Sequence, residues 1–315
     1  MYKSFYGLKE NPFNVNPDPR FLFLTKQTEE ALTGLMYGIQ TRKGFITLTG
    51  EVGTGKTTLI NRLLDWLQQR KARTAFLFNS RMNSNQLLDF ILAEFDIPCD
   101  SKSKSQQLMK LNHWLLDRYR MGETVVLIID EAQNLTYPVL EEIRLLTNLE
   151  TSTEKLIQIV LSGQPELEEK LKLPELRQLR QRIMIRCKTA PLSKEETHQY
   201  VMERLKIAGA AGEPIFSPQA VDTVHFCSLG IPRVINLLCE HSLVNAFVEQ
   251  QRPIQPRIVE DVAREFQLNE VEPMAPKGDS KIDSEVYNSE AFIQNIGEAL
   301  SRFRFSPSTT TRGRK

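Results

Sequence analysis

Gly50-Glu51-Val52-Gly53-Thr54-Gly55-Lys56-Thr57 spaces its glycines, lysine and hydroxyl as G-x-x-x-x-G-K-[ST], the pattern by which a backbone loop holds a polyphosphate. The glycines let main-chain N–H groups turn inward around phosphate oxygens with no Cβ in the way, and the N-terminus of a following helix adds a positive dipole end. In such a loop Lys56 reaches the β and γ phosphates of ATP, Thr58 is a further nucleotide-binding candidate, and Thr57 offers its hydroxyl to Mg²⁺, a cation that takes oxygen ligands and keeps several waters. About 75 residues downstream a run of apolar residues ends in Asp130-Glu131. Asp130 is placed to share the Mg²⁺ shell opposite Thr57, and Glu131 to orient and deprotonate an attacking water. Glu131 is the residue that argues for hydrolysis of ATP over binding alone.

Both motifs need a rigid sheet edge behind them. Phe45-Ile46-Thr47-Leu48-Thr49 reads as a strand entering the loop, and 58–67 is apolar at helical spacing, so the context is strand, glycine loop, helix. Val125–Ile129 is apolar throughout, as a strand buried on both faces of a parallel sheet is, and its carboxylates then lie at the C-terminal edge where open α/β sheets bind ligands. Further β-type runs at 74–79, 156–162 and 183–187 alternate with helical patterns. Residues 29–190 are therefore expected to form an α/β domain, a five-stranded parallel sheet in an αβα sandwich. After the capping box Ser193-Lys194-Glu195-Glu196 the strand signal vanishes, so 191–268 are expected as a small all-helical domain. Residues 1–28, rich in Pro, Asn and aromatics, read as an extended lead-in. Residues 269–315 are rich in Glu, Pro, Ser, Lys and Thr and read as a disordered tail. Within it, Phe292, Ile293, Ile296, Leu300 and Phe303 make an amphipathic stripe, a candidate docking helix at 289–304.

Forty basic against thirty-nine acidic side chains in 315 residues leave no global field to attract nucleic acid or membrane. No apolar run has the length of a membrane span, and the first residues lack a signal peptide's hydrophobic region. A cytoplasmic chain is expected, brought to the inner face of the membrane only by a partner. His225-x-Cys227 and Cys239-x-His241 offer the residue types of a zinc site. Residues two apart on a helix point to different faces, however, so buried structural thiols are expected for these cysteines and for Cys99 and Cys187.

Two arginine placements bear on the chemistry. Arg177, Arg180 and Arg182 lie on a helical pattern running into the last strand, and a guanidinium offered to a neighbouring subunit's γ-phosphate raises turnover by about 10³ to 10⁵. In Gly230-Ile231-Pro232-Arg233 the proline suits a helix start, so Arg233 stands beside a fixed corner from which it can fold back onto phosphate.

In the order glycine loop, Asp-Glu, polar strand end, arginine and G-x-P-R, the chain resembles the AAA+ P-loop ATPases across about 230 residues. More specifically, over residues 2–268 it is similar to the general secretion pathway protein A family. The residues that carry this include Phe5-Tyr6-Gly7-Leu8, Asn11-Pro12-Phe13, Pro17-Asp18-Pro19-Arg20-Phe21-Leu22, Asp130-Glu131-Ala132-Gln133-Asn134-Leu135 and Leu161-Ser162-Gly163-Gln164-Pro165-Glu166-Leu167. The resemblance implies a nucleotide-binding αβα domain with a helical lid, working as a homo-oligomeric ring or filament. It implies Arg182 as the trans arginine, with Arg180 as the alternative, and Gln164 as the polar sensor of the γ-phosphate. Asn79 is implied as a residue that pairs with Glu131 and holds it inactive. Family members that serve secretion carry a transmembrane helix and a peptidoglycan-binding region after the ATPase, where this chain has a short polar tail. The function expected is ATP hydrolysis coupled to a protein partner in a secretion, pilus or exopolysaccharide-export apparatus. The rival is a DNA-associated ATPase of the transposition-regulator type, for which a ring could gather Lys102, Lys104 and Lys110 on one basic face.

Overall fold

The structure is a computed structural model and describes residues 2–14, 18–78, 82–101 and 103–268. Asn79, Lys102 and the amphipathic stripe at 289–304 lie outside the described residues. The chain runs α1 (Tyr2–Tyr6), α2 (Lys26–Gln40), β1 (Phe45–Thr49), α3 (Lys56–Gln69), β2 (Arg73–Leu77), α4 (Ser84–Glu94), α5 (Lys104–Arg120) and β3 (Val125–Ile129). It continues through α6 (Tyr137–Leu146), β4 (Ile157–Gly163), α7 (Pro165–Lys172), α8 (Arg177–Arg182) and β5 (Ile183–Lys188). Four further helices follow: α9 (Lys194–Ile207), α10 (Pro218–Ser228), α11 (Pro232–Val248) and α12 (Pro256–Glu265).

Asn14–Leu192 form a sheet unit, with which Ile231–Arg233 group. Its five strands are all parallel in the order β2-β3-β4-β1-β5. Alternation along each strand sends one set of side chains to each face. Val125, Leu127 and Ile129 join a core with Leu88, Ile91, Leu111 and Ile143, while Val126 and Ile128 join a second core with Leu35, Leu59, Ile60 and Leu63. Helices thus cover both faces, which is why β3 is apolar at every position. Substitution of such a fully buried leucine by alanine costs about 2–5 kcal/mol, so the strand that presents Asp130 and Glu131 is strongly held. The expected αβα sandwich with five parallel strands is the observed one.

A crossover order of this kind sets the positions of the strand ends. Thr49 of β1 pairs in register with Gly163 of β4, and Leu161 of β4 with Ile129 of β3. The residues that follow β1, β3 and β4 therefore emerge side by side at one edge.

Residues 193–230 and 234–268 form a helical unit together with residues 2–13. Ser193 accepts from the Glu196 N–H at 3.2 Å while the Glu196 side chain accepts from the Ser193 N–H at 2.8 Å, completing the capping box that starts α9. The lead-in is not extended at its start. Tyr2–Tyr6 is helical, and the side chains of Tyr6 and Phe13 are fully buried. Arg204 of α9 donates to the Pro12 carbonyl at 2.7 Å, and the Tyr2 hydroxyl donates to Glu240 at 2.6 Å. Aromatic residues without periodicity conceal this, because their partners are some 190 or more positions away. In the sheet unit, α2 begins at Lys26, before the expected position 29, since Thr25 accepts from the Thr28 N–H at 3.1 Å and caps it.

Lys104 is paired with Glu142 of α6, and Lys110 donates to the Pro98 carbonyl at 2.8 Å. Cys187, Cys227 and Cys239 are buried as expected, whereas Cys99 is only partly buried, and burial pushes the Cys187 thiol up to about 11. Among the described residues no group of His, Cys, Asp and Glu has the arrangement of a metal site.

Candidate functional site

The loop between β1 and α3 is shaped by backbone conformation that side-chain-bearing residues resist. Gly53 and Gly55 have φ of +81° and +96°, in the region that glycine enters without penalty. Gly55 is the N-cap of α3 and supplies no side-chain acceptor, so the free N–H groups of the helix's first turn are left for a ligand. The loop is braced from β5. The Thr54 and Thr189 hydroxyls lie 2.7 Å apart, the Thr189 N–H donates to the Thr49 carbonyl at 2.8 Å, and a Cβ on Gly50 would fall 2.0 Å from the Thr189 hydroxyl.

Lys56 is 7% exposed, and its ammonium donates to the carbonyls of Gly50 at 2.6 Å and Glu51 at 2.9 Å. Burial pushes its pKa down, opposed by the nearby carboxylates of Glu131, Asp130, Glu51 and Glu166. Burial also raises the pKa of Glu51, reinforced by Glu166. Thr57 is exposed.

At the end of β3, Asp130 Oδ1 accepts from the Ser162 hydroxyl at 2.7 Å and from the Glu131 N–H at 3.0 Å. This fixes one carboxylate oxygen in place. Glu131 adopts φ 52°, a left-handed conformation that costs a non-glycine residue about 1–2 kcal/mol. Its Oε2 accepts from the side-chain amides of Gln133 and, at 3.1 Å, Gln164. Sequence reasoning missed Ser162 and Gln133. Ser162 had a signal, a hydroxyl in an otherwise apolar strand end; Gln133 had none beyond its nearness to Glu131.

Arg233 groups with the sheet unit, where its N–H donates to the Gly53 carbonyl at 3.2 Å. Its Nε is buried with no hydrogen-bond partner, and burial lowers its pKa. A buried guanidinium nitrogen left without a partner beside a loop of free N–H groups is costly unless an anion completes it. These residues fit a nucleoside triphosphate. Thr57 and Asp130 are oxygen donors of the type Mg²⁺ takes.

The remaining sequence-predicted residues are placed differently. Arg182 is half-buried, and its Nη1 donates to Thr147 Oγ1 at 2.5 Å, Asn148 Oδ1 at 2.6 Å and the Arg144 carbonyl at 3.4 Å. It is tied to α6 and the residues just after it, so it is not a freely solvated helix residue. Among the described residues the Arg180 side chain reaches only the Lys172 carbonyl, at 3.4 Å. Arg177 is exposed.

The closeness of Gly53 and Arg233 carries a test. A Cβ on Gly53 would fall 2.8 Å from Arg233 Cβ and 3.1 Å from Ile231 Cγ2. Gly53→Ala is expected to displace Arg233 and strain the loop by about 1–2 kcal/mol, weakening ATP binding roughly tenfold. A fluorescent ATP analogue titrated against both proteins, with thermal unfolding as the control for the fold, measures it.

A protein-family model described as "AAA domain" matches residues 39–171. The chain is 45% identical over 255 residues to the general secretion pathway protein A of Aeromonas hydrophila, covering 81% of this chain and 46% of that protein. It thus spans about half the length of that curated relative. Among solved structures it is similar to the Aeropyrum pernix ORC2 protein in its ADPNP-ADP complexes, with TM-score 0.60 and 14% identity over 82% of this chain and 72% of that one. Cdc6p from Pyrobaculum aerophilum gives TM-score 0.60 and 17% identity over 82% and 71% of the two chains. The Thermotoga maritima RuvB branch-migration motor gives TM-score 0.53 and 16% identity over 81% and 73%. At such identities these structures bear on the fold alone, and they agree on it. Sheet order, phosphate loop, paired carboxylates and the long match to the Aeromonas protein converge on one assignment: the chain belongs to the AAA+ ATPases, within the general secretion pathway protein A family.

Proposed function

We propose that this chain binds ATP with Mg²⁺, hydrolyses it, and uses the nucleotide state to drive assembly or regulation of a secretion, pilus or exopolysaccharide-export apparatus. The observation that carries the chemical part is the Asp130 carboxylate, fixed by Ser162 at 2.7 Å on the edge that also holds buried Lys56. Lys56 and Arg233 bind the phosphates, and the first-turn N–H groups of α3 orient them. Thr57 and Asp130 hold the Mg²⁺, which when bound neutralises charge on the β and γ phosphates. Glu131 holds the attacking water and takes its proton, Gln164 reads the γ-phosphate, and Asn79 restrains Glu131 until a partner engages. Arg182 completes the site of a neighbouring subunit, with Arg180 as the alternative, so the active form is a homo-oligomer.

The coupling reading rests on the likeness to the Aeromonas protein, whose name places that protein in general secretion. No helix of the described residues is long and apolar enough to cross a membrane, and we place the chain in the cytoplasm, recruited to the membrane face by its partner. The chromosomal replacement Lys56→Ala tests the coupling. Loss of the assembled export apparatus, with the chain itself at its normal level, is the expected result. Intact export, together with ATP-dependent duplex DNA binding that weakens steeply with salt, would favour the transposition-regulator reading instead.

A further inference from the structure

The left-handed turn at Glu131 is held from several sides. The Asn134 N–H donates to the Glu131 carbonyl at 3.0 Å, while Lys170 of α7 donates to the carbonyls of Gln133 and, at 2.9 Å, Leu135. Above this pinned turn, Gln133 makes two bonds with opposite ends of one amide. Its Nε2 donates to Glu131 Oε2, and its Oε1 accepts from the Gln164 main-chain N–H at 3.1 Å. Gln164 Nε2 donates to the same Glu131 Oε2 at 3.1 Å. The space for the Gln133 amide exists because residue 163 is glycine: a Cβ there would fall 2.8 Å from Gln133 Oε1.

A carboxylate oxygen has two lone-pair sites, and the two amides occupy both on Oε2. That oxygen cannot take a proton from water until one donor leaves. The amides are not equivalent in this respect. Gln133 is anchored through its oxygen to a main-chain N–H, whereas the Gln164 side chain has only the one bond to Glu131 among the described residues. Gln164 is therefore the donor that can leave, and Gln133 the one that stays and keeps Oε2 aimed.

We propose that Gln133 is a positioning residue for hydrolysis: it holds the Glu131 carboxylate in register with Gln164, so that withdrawal of the Gln164 amide toward a γ-phosphate frees one lone pair of Oε2. This rests on the assignment of Glu131 as the base and Gln164 as the γ-phosphate sensor. Gln133 acts through Glu131 and touches neither nucleotide nor water itself.

Gln133→Met preserves size and removes both bonds. Gln133→Glu preserves the acceptor for the Gln164 N–H and places a second carboxylate against the first. Steady-state hydrolysis, ATP-analogue affinity and thermal unfolding are measured for the parent, both variants, Glu131→Gln and the double variant Glu131→Gln with Gln133→Met. Gln133→Met is expected to lower kcat by roughly 10- to 100-fold, the range for a misplaced reacting group, with KM and affinity within about twofold of the parent. Gln133→Glu should be lower still, although both replacements match glutamine in size. In the Glu131→Gln background, Gln133→Met should have no further effect, because its target is already gone. Parental kcat in Gln133→Met overturns the proposal. So does a loss that persists undiminished in the Glu131→Gln background, or one that follows affinity and melting temperature, since each marks a purely structural residue. A parent that does not hydrolyse ATP overturns the proposed function first and the role of Gln133 with it, and is told apart from the other failures by the parent assay alone.

Discussion

Glu131→Gln is expected to bind ATP as tightly as the parent and to hydrolyse it at least about 100-fold more slowly, a loss of roughly 2.7 kcal/mol of transition-state stabilisation. The replacement keeps the shape of the side chain and an oxygen that can accept from Gln133 and Gln164, the two donors now on Oε2. It removes the negative charge and with it the ability to take a proton. Lys56→Ala should behave oppositely. Lys56 is buried among the loop carbonyls and the four carboxylates that surround it. Its loss leaves those carboxylates without their cation where a polyphosphate must sit, so binding itself should fail. Equilibrium binding of a fluorescent ATP analogue and phosphate release, measured on both variants, separate the two roles. Parental hydrolysis by Glu131→Gln would sink its assignment as the base.

Arg182→Ala should likewise bind ATP nearly as the parent does and turn it over at least about 100-fold more slowly, because a trans arginine acts chiefly as transition-state charge develops. The decisive measurement mixes Arg182→Ala with Lys56→Ala, each inactive alone. At a mixed interface the first supplies an intact phosphate loop and the second an intact arginine, so activity should reappear and rise with protein concentration. The bonds from Nη1 to Thr147, Asn148 and the Arg144 carbonyl supply the competing explanation. If Arg182 serves only to brace α8 against α6, the variant should melt at lower temperature and mixing should restore nothing. Co-assembly of the two variants without recovered activity would leave Arg182 as that brace, and Arg180, which makes a long 3.4 Å contact with the Lys172 carbonyl, would be tested next in the same way.

Features encoded within a few residues were legible in the chain before any folding was considered. The glycine spacing around Lys56 and Thr57, the apolar run ahead of Asp130 and Glu131, the capping box at Ser193 and the proline that starts α11 are all local signals. Each reflects a backbone conformation or burial state that only certain residue types tolerate. Strand positions followed from the same logic, and observed β1 and β3 match the runs read as strands. Long-range bonds had no such signature. That Ser162 holds Asp130, that Gln133 bridges Glu131 to the Gln164 N–H, and that Thr189 braces the phosphate loop depends on β4 lying between β3 and β1 with β5 outside it. Strand order is decided by which helices and strands pack together, and hydrophobic periodicity records only that a residue is buried, without naming its neighbour. The same holds for Tyr6 and Phe13, whose burial in the helical unit is a matter of aromatic rings and one arginine meeting across most of the chain's length. Which residues can do the chemistry is thus written in the local order of the chain, while which residues aim and restrain them exists only once distant segments have been brought to one edge of the sheet.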